Sequence, residues 1–474
     1  MSEPIILWLR QDLRLSDHPA LARAIERRAP VIPAFIWSPE EEGAWPPGAA
    51  SRWWLHHSLT ALDAALRRAG SRLVIRHGPV LPALRDLARE TGARTVLWSR
   101  CFEPARIATD SVVQAALREE GCEAEGFGGA LLAEPHELRT GAGGPYKVFT
   151  PFWRALLAGP RIDEPLPAPR RIPAPAAWPQ SLPIDELRLL PAIPWDGGLQ
   201  EAWTPGEAGA LRRLADFADG ARSDYASGRD APGRGGTSRL SPHLHWGEIS
   251  PRQAWTGALR AGAADGDPWL RQLAWREFAM HSLVHFPSAP DKPLREEFAA
   301  FPWRRDARGL RAWQRGRTGY PLVDAGMREL WATGWMHDRV RMVAASFLIK
   351  HLLLPWQEGE RWFWDTLVDA DLANNAMSWQ WVAGSGMDAA PYFRIFNPVI
   401  QGQKFDADGA YVRRWIPELA QLPDRELQAP WLAPPLVLEA AGVRLGKTYP
   451  LPIVDHRMAR ERALQALGET RRAD

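Results

Sequence analysis

Within thirteen residues, DADLANNAMSWQW, the chain gathers Asp369, Asp371, Asn374, Asn375, Trp379 and Trp381. Acids and amides interleaved with indoles suit a site for a polar, aromatic ligand, because burying such groups without partners is costly. On a helix, positions i and i+2 lie ~200° apart, so Trp379 and Trp381 serve different neighbours: one open to a cofactor and the other to a substrate, or both to the core. Three further stretches carry chemistry. WLRQLAWREF spaces Trp269, Gln272 and the pair Trp275/Arg276 along one helix face, where an ordinary core stripe would use Leu. WMHDRVRMVAASFLIKHLL puts Asp338, Arg341 and Met342 on a shared face that runs on into an apolar segment, so part of it is expected to be buried. GRGGTSRLSPHLHWGEISPR sets Thr237, Ser238 and Ser241 beside small glycines. Amides and hydroxyls there suit an anion such as a diphosphate, and simple capping of a helix explains the same residues.

Metal chemistry is not favoured. His281 and His285 have i,i+4 spacing but lack the Glu of a zinc-protease helix, and Cys101 and Cys122 are the only cysteines, too few for a thiolate cluster. Two cysteines also fit a reducing cytosol, and the start MSEPIILWLRQDLRL reads as a first strand and not as a signal peptide. With 46% hydrophobic and 24% charged residues the composition is that of a globular protein, and no apolar run approaches the ~20 residues that span a bilayer. A net charge of +2 leaves any nucleic-acid partner to a local basic patch. Tryptophan is the outlier, 25 against 6 tyrosines, which points to core filling, stacking or electron transfer according to position.

The elements that must position these groups fall into two classes. Up to about residue 130, β-rich runs (IILWL, VIPAFIW, RLVIRHG, TVLWSR) alternate with helical spacing, which predicts a parallel-sheet α/β domain over 1–130. It has neither a dinucleotide-binding glycine motif nor a P-loop. A connector is expected over 131–206, rich in proline from 159, and an all-helical domain over 207–474 that ends in a short basic helix with a solvated face.

Taken together the chain resembles the DNA photolyase/cryptochrome flavoproteins, most closely the bacterial cyclobutane pyrimidine dimer photolyases. The resemblance runs through LWLRQDLRLSDHPAL, GTSRLSPHL, WREF, TGYPLVDAGMREL, TGWMHDRVRM, SFLIKHLL, DADLANNA, WQW and DAAPYFRIFNP, in the family's order and over nearly the whole chain. It implies an N-terminal Rossmann-like domain with an antenna pigment and a helical domain holding FAD. By this resemblance Tyr225, Thr237, Ser238, Arg239, Leu240, Ser241, Trp269, Arg276, Arg341, Asp369, Asp371 and Asn375 bind FAD, with Asn375 facing flavin N5. Trp379, Trp356 and Trp303 match an electron-transfer triad, and Trp275 and Trp381 the walls that pack on an extruded dimer; Gln272, Asp338 and Met342 complete the lesion site. Arg339, Arg394, Gln401 and Lys404 fall in motifs that touch DNA phosphates. The implied reaction is light-driven: excited reduced FAD lends an electron to the dimer, the cyclobutane ring opens and the electron returns.

The chain departs from the pattern in two places. Dimer photolyases usually carry Glu where Gln272 stands and Asn where Asp338 stands, a reciprocal exchange that suggests a hydrogen-bonded Gln272/Asp338 pair conserving the site's charge. The antenna motif is altered to RCFEPARIATD, leaving Glu103 as a contact for methenyltetrahydrofolate and few polar groups around it or around a deazaflavin. Two alternatives compete. A photosensory cryptochrome would keep the flavin, yet the chain ends soon after PLPIVDHRMA and keeps Trp275 and Trp381. A (6-4) photolyase shares Gln at position 272 but needs a His where Asp338 stands. The expected protein is a cytoplasmic, monomeric repair enzyme acting on UV-damaged DNA without a metal.

Overall fold

The structure is a computed structural model that describes residues 3–159, 162–264 and 266–470. The chain forms two compact units that do not follow chain order: Met1–Gly220 with Ser238–Pro287 and Val368–Ala373, and Ala221–Thr237 with Ser288–Leu367 and Asn374–Asp474.

In the first unit five parallel strands, β1 (Ile5–Leu9), β2 (Val31–Trp37), β3 (Val74–His77), β4 (Thr95–Ser99) and β5 (Glu123–Phe127), lie in the order β3-β2-β1-β4-β5. Helices α1 (Pro19–Glu26), α2 (Ala49–Arg68), α3 (Val80–Thr91) and α4 (Pro104–Glu119) make the crossovers that parallel pairing requires. Helices on both faces explain why β1 is apolar throughout, with every residue buried. β5, EAEGF, escapes a hydrophobic search because it is a polar, partly exposed edge.

Two features depart from a simple α/β domain followed by a connector. The expected connector contains helix α5 (Phe149–Ala158), whose Phe149, Phe152, Trp153 and Leu156 are buried. Residues 238–287, including helix α6 (Leu270–His285), cluster with the sheet. The reason lies in the loop after β1. Arg14 donates to the Gly247 carbonyl (2.9 Å), and the buried Asp17 carboxylate accepts from Arg252 (2.6 Å), Ser250 and the Leu166 amide. The motif LRLSD is thus a fastener, and Gly247 is needed because a Cβ there would meet the Gln11 carbonyl at 1.9 Å.

The second unit is helical: α7 (Ala307–Gln314), α8 (Pro321–Thr333), α9 (Asp338–Ser346), α10 (Trp356–Thr366), α11 (Leu372–Ala383, whose first two residues belong to the first unit), α12 (Pro398–Phe405) and α13 (His456–Thr470). A π-helical turn, Phe347–His351, follows α9. Phe298, Phe301, Leu353 and Tyr392 pack with Ala463, Ala466 and Leu467 of α13, so that helix has an alanine-rich buried face opposite its arginines. Asp324 ties the start of α8 together: its carboxylate accepts from the Thr318 amide (2.6 Å) and hydroxyl (2.7 Å), the Gly319 amide (3.0 Å) and Tyr449 Oη (2.7 Å). Among the described residues no helix is long and apolar enough to cross a membrane.

Candidate functional site

Within the first unit the hydroxyl loop and the acids of DADLANNA come together. Leu240 is buried and Arg239 sits at φ 52°, a left-handed turn that ends the loop before the short helix Ser241–His245. No side chain caps that helix. Instead the Ser241 hydroxyl donates to Asp369 Oδ2 at 2.6 Å, so the capping alternative gives way to a contact between two motifs far apart in sequence. Asp369 and Asp371 are each 8% exposed, and His245 Nδ1 stands 3.6 Å from Asp371. That nitrogen is buried and makes no hydrogen bond. Below the loop Glu248 is fully buried, accepting from Trp54 Nε1 (3.0 Å) and the Gly206 amide (2.7 Å) and pairing with His243.

Helix α6 presents the second group. Trp269 is buried at its N-cap and lies 5.3 Å from the Phe217 ring. Arg276 donates to the Ala130 carbonyl (3.0 Å) and to Glu277 Oε1 (3.2 Å). Burial pushes the Glu277 carboxyl up to about 7 against the pull of Arg276 and the Leu132 and Ala133 amides. Trp275, half-buried, stacks face to face on Phe149 of α5, with centroids 3.7 Å apart and planes 7° apart, and meets Phe278 edge-on. The Gln272 amide donates to the Pro268 carbonyl just before the helix (3.3 Å).

In the second unit Asp338 is exposed at the first position of α9, while Arg341 Nε donates to the Met336 carbonyl at 2.7 Å and its guanidinium lies 5.8 Å from the Trp335 ring. Arg339 is held on three sides: Asp230 (2.7 Å), Met342 Sδ (3.9 Å) and the Phe405 ring (4.4 Å). Tyr225 is buried, with Arg229 over its ring, and Thr237 is half-buried. Of the remaining phosphate candidates, Arg394 and Lys404 are exposed and Gln401 is half-buried, with Gln401 and Lys404 three apart on α12.

Asn375 is buried and its Nδ2 donates to the Glu360 carbonyl at 3.0 Å, which fixes the amide's orientation. Trp379 is 2% exposed and edge-on to Phe363 (5.0 Å) and Trp313 (6.3 Å), whereas Trp381 is half-buried, as opposite faces of α11 demand. Trp356 is buried at the start of α10, and the partly buried Trp303 packs on Phe301 at 4.4 Å. Glu360 is fully buried, neither carboxyl oxygen has a hydrogen bond, and burial pushes its carboxyl well above the ordinary range.

Sequence reasoning missed Phe149, His245, Trp313 and Glu360. The signals were present but ambiguous: Phe149 opens an aromatic helix in YKVFTPFW, and Glu360 is an acid on the buried side of WQEGERWFW. In the first unit the buried His245 Nδ1, which makes no hydrogen bond and stands beside the Asp371 carboxylate, fits a polar cofactor. Just past the C-terminal ends of β1 and β4 the polar side chains are paired with one another. Arg10 is paired there with Asp110 and lies 4.2 Å over Trp8, and Arg106 bonds Glu42 (2.8 Å) and stands 3.9 Å from Glu103. A cavity of about 50 Å³ lies beside Trp8, Arg10 and Arg106. A groove of about 560 Å³ runs separately beside Trp98, Arg100, Phe102 and Glu134.

Two family models match: DNA photolyase over residues 5–171 and the FAD binding domain of DNA photolyase over residues 269–469. A deoxyribodipyrimidine photo-lyase of Agrobacterium fabrum is 52% identical over 474 residues, covering 99% of this chain and 98% of that protein. The chain belongs to the DNA photolyase family. Its helical part is the family's FAD-binding domain. The crystal structure of a bacterial class III photolyase from Agrobacterium tumefaciens superposes with a TM-score of 0.96 at 51% identity, covering 100% of this chain and 98% of that one. Cryptochrome-1 of Arabidopsis thaliana is 40% identical over 98% of this chain and 70% of its own length. Photolyases and cryptochromes share this architecture, so function has to be argued from the site.

Proposed function

We propose that this photolyase-family protein splits cyclobutane pyrimidine dimers in UV-damaged DNA under blue light. Bound reduced FAD would supply, on excitation, one electron to the dimer and recover it once both bonds joining the pyrimidines have broken.

The observation that carries the reading is Trp275, clamped flat against Phe149 at 3.7 Å and still half-exposed. A dimer is two bases that must leave the duplex together, and a rigid aromatic wall compensates the stacking they lose. Trp275 is that wall, with Trp381 as its counterpart and Gln272, Asp338 and Met342 as the polar and sulfur contacts of the lesion. Tyr225, Thr237, Ser238, Arg239, Leu240, Ser241, Trp269, Arg276, Asp369 and Asp371 hold the cofactor. Arg341 supplies the positive charge that favours a reduced, anionic ring, and Asn375 offers it an amide with no acidic proton. Trp379, Trp356 and Trp303 carry electrons inward from the surface to regenerate the reduced state. Arg394, Gln401 and Lys404 meet DNA phosphates, with Arg339 positioned by Asp230. The Agrobacterium fabrum relative, a deoxyribodipyrimidine photo-lyase, supports the same assignment.

The test is recovery of thymine absorbance near 260 nm (a wavelength at which intact thymine absorbs and the dimer does not) when anaerobically reduced protein is mixed with dimer-bearing oligothymidine. Recovery in blue light and none in darkness is the expected result. Absence of recovery from protein that holds photoreducible FAD refutes dimer repair and transfers the assignment to a photosensor.

A further inference from the structure

Between Arg304 and Arg317 the chain carries six arginines, Arg304, Arg305, Arg308, Arg311, Arg315 and Arg317, and all are exposed. Arg308 and Arg311, three apart on α7, lie opposite its buried Gly309 and Trp313, with Arg315 at the helix C-cap on the same side and Arg304 and Arg305 just before its N-cap. The one acid in the stretch, Asp306, is committed as the helix N-cap, accepting from the Gly309 amide at 2.8 Å.

Several arginines elsewhere are matched with carboxylates: Arg27 with Glu123, Arg85 with Glu120, Arg328 with Glu418 (2.8 Å) and Arg413 with Asp424 (2.6 Å). None of the six forms an ion pair among the described residues. Like charge is added instead: burial, and beside it the charge of Arg304, lowers the pKa of the Arg462 guanidinium of α13. A row of unmatched, mutually repelling guanidinium groups gains most from a regular polyanion. With a rise of about 1.5 Å per residue, Arg308, Arg311 and Arg315 are spaced about 4.5 and 6 Å along the helix. DNA carries one phosphate per ~3.4 Å of each strand, so the row is dense enough to engage neighbouring phosphates.

We infer that the arginine face of α7 is a second, lesion-independent contact for the DNA backbone, separate from the residues assigned to the lesion site. It adds affinity for long DNA without reading sequence or damage. The inference rests on DNA being the substrate.

The test uses the full FAD-loaded chain with Arg308→Gln/Arg311→Gln, exposed changes on a helix anchored by its other side. Binding of a long undamaged duplex is measured from 50 to 200 mM salt, and repair is followed on a short dimer-bearing oligothymidine. Each phosphate contact contributes about 0.9 to the slope of log K against log salt, so losing two lowers the slope by about 1.8, and the variant loses about 12-fold less affinity across that range. Arg308→Lys/Arg311→Lys keeps the charge and is expected to keep the slope. An unchanged slope in the glutamine variant overturns the inference, and so does a matching loss of repair on the short oligonucleotide, which would merge this face with the lesion site. If wild type repairs nothing, the dimer-repair assignment falls, while the salt slope still reports on the arginines.

Discussion

Replacing Gly359 with alanine sets two effects of opposite sign against each other. Gly359 lies within α10, where alanine is favoured over glycine by about 1 kcal/mol. The added Cβ, however, would lie 2.1 Å from Trp379 Cη2, 2.5 Å from Cζ3 and 2.6 Å from Leu348 Cδ2. Ordinary contact begins near 3.4 Å, so the indole must retreat by more than 1 Å. It has little room to do so. Phe363 is edge-on at 5.0 Å, and Trp313, at 6.3 Å, is itself pinned by Nε1 donating to the Ala344 carbonyl at 2.9 Å. Overpacking costs ~1–3 kcal/mol, and an overlap of more than 1 Å on a pinned ring lies at the upper end, about 2–3 kcal/mol; less the ~1 kcal/mol gain in helix propensity, a net loss of about 1–2 kcal/mol is expected. A displaced Trp379 should also slow photoreduction of bound FAD. Urea unfolding followed by fluorescence reads the first effect and flavin absorbance under blue light the second. Trp379→Phe removes the atoms in conflict, so the double variant Gly359→Ala/Trp379→Phe should show a favourable coupling of about 1 kcal/mol. A Gly359→Ala protein as stable as wild type, with unchanged photoreduction, would refute the claim that Trp379 is locked by this packing.

Three further outcomes follow from buried charges. Burial lowers the Lys350 ammonium to about 7, and its partner is the Arg394 carbonyl at 3.0 Å. Between that value and the ordinary 10.5 the unfolded chain binds a proton that the native chain lacks, so stability rises with pH by up to ~1.4 kcal/mol per unit. Lys350→Met should flatten that rise in urea titrations at pH 7 to 10, and an unchanged rise would count against a depressed Lys350. Glu277 has the opposite sign. With its carboxyl raised to about 7, the native chain keeps a proton that the unfolded chain loses above about 4.5, so its contribution to stability falls as pH climbs between them. Glu277→Gln should remove that fall, as read by melting curves at pH 5 and 8. Asp324→Ala strands two backbone amides and the Thr318 and Tyr449 hydroxyls, and a loss of about 3 kcal/mol or more in unfolding free energy is expected; a loss under about 1 kcal/mol would mean water replaces the carboxylate.

Periodicity in the sequence was enough to place β1 to β4 and the long helices, because a strand buried on both faces and an amphipathic helix each write their surroundings into residue type. It was not enough for β5, whose EAEGF is a polar, partly exposed edge strand, or for α5, hidden in proline-rich surroundings. The same division runs through the site. The residue types at Asp369, Asn375, Trp379 and Trp275 announced chemistry, and the 200° rule separated Trp379 from Trp381 before any coordinates.

What those residues touch was decided only by the tertiary fold. Ser241 serves Asp369 and not its own helix; Phe149 backs Trp275; the Glu360 carbonyl orients Asn375; Arg339 is already held by Asp230 and Phe405; and Arg10 and Arg106 are paired with Asp110 and Glu42. Local sequence sets backbone preference and which groups must be buried or solvated. Partners distant in the chain are selected only when packing brings their elements within a few ångströms, where sterics and unsatisfied hydrogen bonds choose among groups that the sequence leaves equivalent.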